Sequence, residues 1–461
     1  MSRLLQTGSL VVGGGPAGLA PLLAASRRGI LPDLISRGVV VAERGARIGG
    51  GRIGRYVINS DSAGATFLSC LHDSEPLLAA VARTPTAAAV AAYGDGAVPL
   101  ALVGRLLEDV GEALRQRIEA DPSGAVLTGH EALRTTMRPQ GGWLTQLRSG
   151  LTGRIVEVAS DSVILATGGD QPHARLAHEE VAGRPLLPRY RDKLLQSDAV
   201  LSNGGLDLVA RRLDGIAQPR IVIVGGSTSA LACARLLLGG LDPPWPPGAI
   251  TLMHRRPLTV FYPSAAAARA DGYDAFRADD VCPISGFVFR FGGLRFDSRE
   301  LVMRLSGIGG RPAENRIVLH SLEEQTSGCS RALLDGADLI VSCLGYRPRA
   351  LKVFDAHGAP IALRAEQPDG ALVGAQCGVL DAAGDEIPGL LGIGLAAGFV
   401  AHASMGGEKS FRGQMNGLWL WQNDIGVIVA HRMLAAACAP APEGVAPERA
   451  APEQRMTREP V

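Results

Sequence analysis

The chain has 461 residues, too many for one hydrophobic core and suited to two domains or to one large domain carrying an inserted one. It is 46% hydrophobic and 20% charged with a formal net charge of +1, which excludes the strongly basic or acidic character of a nucleic-acid partner or a protein for acidic surfaces. Its seven cysteines are scattered and include no CxxC pair, so a disulfide framework is not expected and a reducing, cytoplasmic setting is.

The N-terminal apolar run at 10–12 breaks at once into glycines and reads as a strand, not a secretion signal. A strand over 9–12, a glycine turn, a helix over 16–28 and a strand over 39–43 form a βαβ opening. The turn carries Gly13-Gly14-Gly15-Pro16-Ala17-Gly18. Gly13 suits a tight turn, Gly15 a close approach of backbone to a pyrophosphate, and Gly18 close packing of helix on strand. Glu43 ends the second strand, where an acid accepts hydrogen bonds from the adenosine ribose hydroxyls; Arg44 follows it. Strand, turn, helix, strand and acid in that order, a stronger signal than a lone GxGxxG, point to an adenine dinucleotide, which the resemblance given below implies is FAD.

A polar, loop-rich stretch runs on to about 75. Within it, Gly50 and Arg52 are expected at the cofactor, with Arg55 near phosphate or flavin. Tyr56, Asn59, Ser60 and Ser62 are candidates for substrate contact, against the plainer reading of an ordered loop satisfying its own backbone. Ala-rich helical sequence fills 76–120, and 125–165 reads as short strands making an antiparallel excursion around a Gly-Gly turn at 141–142. It ends in Ala166-Thr167-Gly168-Gly169, small residues suited to a crossing between domains beside a dinucleotide, with Thr167 and Gly168 as contacts.

A second βαβ opening spans a strand at 220–224, a helix at 228–238 and a strand at 249–253. Its loop, Gly225-Gly226-Ser227-Thr228-Ser229-Ala230, lacks the third glycine but keeps small residues there. The second strand ends in His254-Arg255-Arg256 instead of an acid; Arg255 and Arg256 suit the 2′-phosphate that separates NADPH from NADH, and Gly225, Gly226, Ser227 and Ser229 the rest of that cofactor. A strand over 337–343 leads into Leu344-Gly345-Tyr346. A long helix is expected over 414–437, too polar for a membrane span, followed by a disordered tail rich in Pro, Ala, Glu and Arg.

This order of motifs, with Gly-Leu-Leu-Gly-Ile-Gly-Leu-Ala-Ala-Gly at 389–398, resembles the flavoproteins with two dinucleotide-binding domains. Gly-Gly-Ser-x-Ser-Ala and Leu-Gly-Tyr are most similar to flavin-dependent monooxygenases, N-hydroxylating ones included; His-Arg-Arg is similar to the NADPH site of thioredoxin reductases. The resemblance implies an α/β fold of two Rossmann-like domains, the NADPH domain inserted in the FAD domain. The expected bounds are 1–172 and 346–437 for the FAD domain, 195–345 for the NAD(P)H domain, and 438–461 for the tail. It implies that Gly394, Ala397 and Gly398 line the flavin, with Phe399 standing where the family has an acid. No two cysteines lie close in sequence, so a dithiol reductase is not expected. The expected function is an FAD- and NADPH-dependent monooxygenase using molecular oxygen, through a flavin hydroperoxide, on a small metabolite at an amine. The alternatives are an NADPH-dependent flavin reductase with another acceptor and a non-catalytic flavin-binding scaffold. Neither nucleic acid, membrane nor metal is expected.

Overall fold

The computed structural model describes residues 3–241, 245–368, 370–400 and 402–436. Strand β1 (Arg3–Val12) leads into helix α1 (Pro16–Arg27) and strand β2 (Val39–Glu43). Strand β3 (Asn59–Ala63) and helix α2 (Leu100–Glu119) follow. Next come β4 (Ala125–Thr128), β5 (His130–Met137), β6 (Trp143–Ser149) and β7 (Ile155–Leu165). The middle of the chain supplies β8 (Leu194–Gln196), α3 (Ser197–Leu201), β9 (Ile221–Val224), α4 (Thr228–Gly240) and β10 (Ile250–His254). It continues with α5 (Phe296–Leu305), β11 (Ile317–Ser321) and β12 (Leu339–Ser342). The return contributes β13 (Lys352–Phe354), β14 (Pro360–Ile361), β15 (Gly378–Leu380), β16 (Glu386–Gly392) and the terminal helix α6 (Gly426–Ala436).

Two sheets result. The larger has the order β14-β13-β5-β6-β7-β1-β2-β4, with β16 pairing in parallel to the end of β7 and β15 pairing to β16. Its strands β7, β1, β2 and β4 are parallel, while β5, β6 and β7 form an antiparallel meander. The 125–128 segment is therefore not part of the antiparallel excursion expected there; it extends the parallel sheet beside β2. The smaller sheet, β8-β12-β9-β10-β11, is wholly parallel. Its strands read as unbroken apolar runs such as Ile221–Val224, all four residues buried, as a sheet covered on both faces requires. The chain leaves and re-enters the larger sheet through two short strands, Gly169–Asp170 and Arg347–Pro348, paired antiparallel.

In each sheet the first strand of its βαβ unit lies between the second strand and one that arrives much later. β1 has β2 and β7 on its flanks, and β9 has β10 and β12. These are topological switch points, where a crevice opens at the carboxyl ends of the strands. The stretch after Gly49 is more ordered than its composition suggests: β3 pairs with Ala97–Pro99, and Gly64–Leu68 is helical. The terminal helix begins at Leu418, not near 414, and passes through one π-helical turn at Trp421–Ile425 before α6. The expected tail, 438–461, lies outside the described residues. Among the described residues no helix is long and apolar enough to cross a membrane, and no cluster of acids, histidines and cysteines would hold a metal ion.

Trp143 is the largest fully buried side chain of the meander, and its indole N–H donates to the Pro388 carbonyl at 3.2 Å, joining β6 to the return segment. Trp143→Ala should cost about 3–5 kcal/mol through the cavity and the orphaned carbonyl. Urea denaturation of the flavin-free protein measures it, and a loss under about 1 kcal/mol would show that the meander does not hold the return segment.

Candidate functional site

The first glycine loop sits at the end of β1. Gly13 has φ +103°, and a Cβ there would stand 2.4 Å from the Ala166 carbonyl oxygen; at Gly18 one would stand 1.9 Å from that of Gly13. Both glycines are demanded by packing of α1 on the sheet. Gly15 differs, because the nearest atom to a Cβ there is the Gly51 Cα at 3.5 Å, which leaves space in front of the loop. Pro16 opens α1 and no side chain caps it, so the amides of the first turn, Ala17 and Gly18 among them, present the positive end of the helix to that space. Glu43 accepts from the Gly14 N–H at 2.8 Å through Oε2 and from the Gly45 N–H at 2.7 Å through Oε1, fixing the carboxylate beside the loop with lone pairs to spare.

The segment after Glu43 folds over the same helix start. Gly49 donates to the Gly14 carbonyl at 2.7 Å, and Gly50 lies against α2, where a Cβ would meet the Gly104 carbonyl at 2.9 Å. Arg52 pairs with Asp198 at the start of α3. Tyr56 donates to Asp198 Oδ1 at 2.6 Å and Tyr346 to the same oxygen at 3.0 Å, the two phenols lying 3.2 Å apart. Burial pushes the Asp198 carboxyl up, but hydrogen bonds from Tyr56, Arg52 and Tyr346 outweigh it and hold the group below the usual range. Burial raises both phenols. Arg52 and Asp198 of this cluster, with exposed Arg44 and Arg55 and with Gln171 and Arg349, line a cavity of about 400 Å³. Thr167 donates to the Arg349 carbonyl, and the Gly168 carbonyl accepts from the Arg349 N–H at 2.9 Å, so the two strands of the link are tied beside it.

The second loop repeats the first at the end of β9. Gly225 has φ +142° and donates to the Met253 carbonyl at 2.8 Å; Gly226 is hemmed by His254 and Leu258. Ser227 occupies the N-cap of α4 without a side-chain cap bond, and Ser229 stands half-buried in the first turn. Arg255 and Arg256 are exposed at the end of β10, and the turn is braced by His254 Nδ1 against the Arg256 carbonyl at 3.0 Å.

The return segment lies against the first loop. A Cβ on Gly394 would meet that of Ala17 at 3.0 Å, and Ile393 donates to the Leu165 carbonyl. The Ala397 carbonyl accepts from Leu372 and Val373, Gly398 has φ +89°, and Phe399 is buried. Asn416 accepts from the Ala396 N–H at 3.0 Å, a bond that no local sequence signal announces. Of the substrate candidates, Ser60 is buried and its hydroxyl serves the Ser62 carbonyl and the Val98 N–H. Asn59 bonds Asp297 at 2.9 Å, across to α5. Ser62 is half-buried beside them. Cys70 is buried and pushed up to about 11 by burial, against the nearby Arg27. Cys233 bonds Cys343 within the core of the smaller sheet, where burial keeps the Cys233 thiol protonated and unreactive.

No protein-family model matches the chain. It is 34% identical over 440 residues to the CMP-5′-(3-aminopropyl)phosphonate hydroxylase of Streptomyces rubellomurinus (strain ATCC 31215), an alignment covering 93% of this chain and 97% of that one. Among solved structures it is similar to the reduced ornithine hydroxylase of Pseudomonas aeruginosa, with TM-score 0.53 and 11% identity over 94% of this chain and 100% of that one. It is likewise similar to the ornithine N-hydroxylase of Kutzneria sp. 744, with TM-score 0.51 and 14% identity over 93% and 99%. At these identities the likeness is one of fold: the flavoprotein fold with two dinucleotide-binding domains.

The Asp198 cluster carries a pH signature. A carboxylate held below its ordinary value stabilises the fold above that value, and the contribution fades as pH falls through the folded one. Asp198→Asn should therefore cost about 1–3 kcal/mol at neutral pH, the gap to the parent closing below about pH 4. Denaturation midpoints across pH 3–8, a range reaching below the ordinary Asp value of about 3.9, are the measure; a gap independent of pH would remove the ionised Asp198 from the account.

Proposed function

Because the chain belongs to the family of the Streptomyces rubellomurinus CMP-5′-(3-aminopropyl)phosphonate hydroxylase, we propose that it is an FAD- and NADPH-dependent monooxygenase acting on a small aminoalkyl phosphonate or its nucleotide conjugate, at the amine. The observation that carries the reading is the pair of uncapped helix starts at two switch points, one flanked by an acid and the other by two arginines. That difference fits two different dinucleotides.

The residues fit both groups. Open space before Gly15 and the first-turn amides of α1 suit a pyrophosphate; Glu43, already fixed by two amides, has acceptor capacity left for ribose hydroxyls. The start of α4 suits the second pyrophosphate, and Arg255 and Arg256 a 2′-phosphate. When bound, FAD would supply the redox chemistry by which NADPH reduces molecular oxygen, one atom entering the substrate and the other leaving as water. The protein's part is to bind and orient. Asp198 gathers Arg52, Tyr56 and Tyr346 at the link between the halves, so the contacts of the first loop and the position of the inserted sheet are set together. The reactive thiol pair that a dithiol acceptor needs is not found among the described residues beside the first loop, which supports oxygen as the acceptor.

Gly15→Val should fold, since its Cβ meets nothing closer than 3.5 Å, yet fill the space before the loop and lose its flavin. Absorbance of the purified variant decides; full flavin content would move the site elsewhere. NADPH should reduce the flavin faster than NADH, with the preference cut by about tenfold or more in the Arg255→Ala, Arg256→Ala double variant, since each charge-assisted bond contributes about 1.5–3 kcal/mol. Equal stopped-flow rates in the parent would remove NADPH. Labelled molecular oxygen should appear in the product; NADPH consumption undiminished without oxygen would favour a flavin reductase.

A further inference from the structure

A second cavity, of about 250 Å³, lies between the two halves of the chain. One wall is residues 57–61, entering and forming the first part of β3; the opposite walls are the flank of α4 from Thr228 to Gly240 and the start of α5. Thr228 is the first residue of the helix that follows the second glycine loop. The strand side continues the segment whose Gly49–Gly51 portion is bonded onto the first loop. The cavity thus opens where elements from both loops converge. Its volume is just below the roughly 300–1,000 Å³ of sites for drug-sized ligands, so it suits a small molecule.

The middle of the lining is apolar, with Val57, Ile58, Leu231 and Leu236, and its charges differ in how far they are committed. Asp297 is engaged, accepting from Asn59 at 2.9 Å and lying 3.4 Å from Arg235. Arg295 donates one N–H to the Arg290 carbonyl at 2.8 Å and lies over the Phe261 ring at 3.6 Å, which fixes its plane and leaves further N–H groups to donate. Asp61 has no ion pair within 4 Å among the described residues and its surface is open to the cavity. Desolvation at the cavity wall raises its carboxyl, and the charge of Arg295, which lines the same cavity, opposes that shift. Asp61 and Arg295 line one cavity as opposite charges without forming an ion pair, an arrangement that suits the two ends of a zwitterion.

We propose that this cavity takes the substrate as a zwitterion, the Asp61 carboxylate accepting from its ammonium and the Arg295 guanidinium donating to its anionic group, with the alkyl chain along Ile58 and Leu231. The proposal rests on the amine-hydroxylating reading above and names the residues that select the amine. Both are binding and positioning residues.

Calorimetric titration of the flavin-loaded protein with 3-aminopropylphosphonate, propylphosphonate and 3-amino-1-propanol tests it without turnover. The zwitterion should bind about tenfold or more tightly than either compound lacking one charge. Asp61→Asn should bind 3-aminopropylphosphonate no better than propylphosphonate, with unchanged flavin content, and Asp61→Glu should restore part of the preference. Arg295→Gln should erase the preference over 3-amino-1-propanol. Full preference for the amine in Asp61→Asn, loss of flavin from that variant, or no binding of 3-aminopropylphosphonate by the parent would each overturn the assignment. A failure of the monooxygenase reading shows instead as no oxygen in the product, with the binding preferences intact.

Discussion

A side chain at Gly18 would stand 1.9 Å from the Gly13 carbonyl oxygen, and one at Gly13 would stand 2.4 Å from that of Ala166. The first helix therefore approaches the strand end so closely that backbone touches backbone. Everything around the first crevice takes its position from that contact. It aims the uncapped start of α1 past Gly15, sets Glu43 within reach of the Gly14 amide, and gives the segment at Gly49–Gly51 a surface to bond onto. The same contact brings Gly394 of the return segment against Ala17. A methyl group at either glycine would push the helix away from strands supplied by three separate parts of the chain.

The second crevice is built on the same plan but with the opposite local charge. At the first, an acid closes the neighbouring strand and is anchored by two backbone amides with acceptor capacity left over; at the second, two arginines stand exposed. A helix start is favourable for phosphate in both cases. What differs between the two crevices is the group at the end of the next strand, a carboxylate in one and a pair of guanidinium groups in the other. Between them, Asp198 collects three donors from segments on both sides of the link, so the halves are joined by directional, charge-assisted bonds in addition to the paired strands.

Asp61 contrasts with Asp198. Both are carboxylates near the junction of the halves, yet one takes hydrogen bonds from three side-chain donors while the other forms no ion pair and faces a cavity. A carboxylate with no ion pair can accept a cation without first giving up a bond. The fold thus spends one acid on holding its parts together and keeps another uncommitted.

The two glycine loops, the acid after one and the arginines after the other were legible because each is a local pattern. Strand, turn and helix follow within about twenty residues, and their spacing reflects the geometry of a single βαβ unit. The fold class and the flavoprotein resemblance follow from such patterns taken in order. Other features left no such trace. Asp198 lies 146 residues from Arg52, and Tyr56 lies 290 from Tyr346, so no periodicity or spacing links them. The polar stretch after Gly49 reads as loop because its strand, β3, is short and pairs with residues almost 40 positions later, near Val98. Local backbone preference determines where the chain must turn and which helix starts stay open. Which acid is paired, which is left facing a cavity, and which arginine stands opposite it depend on long-range packing between the sheets, and only the tertiary structure decides them.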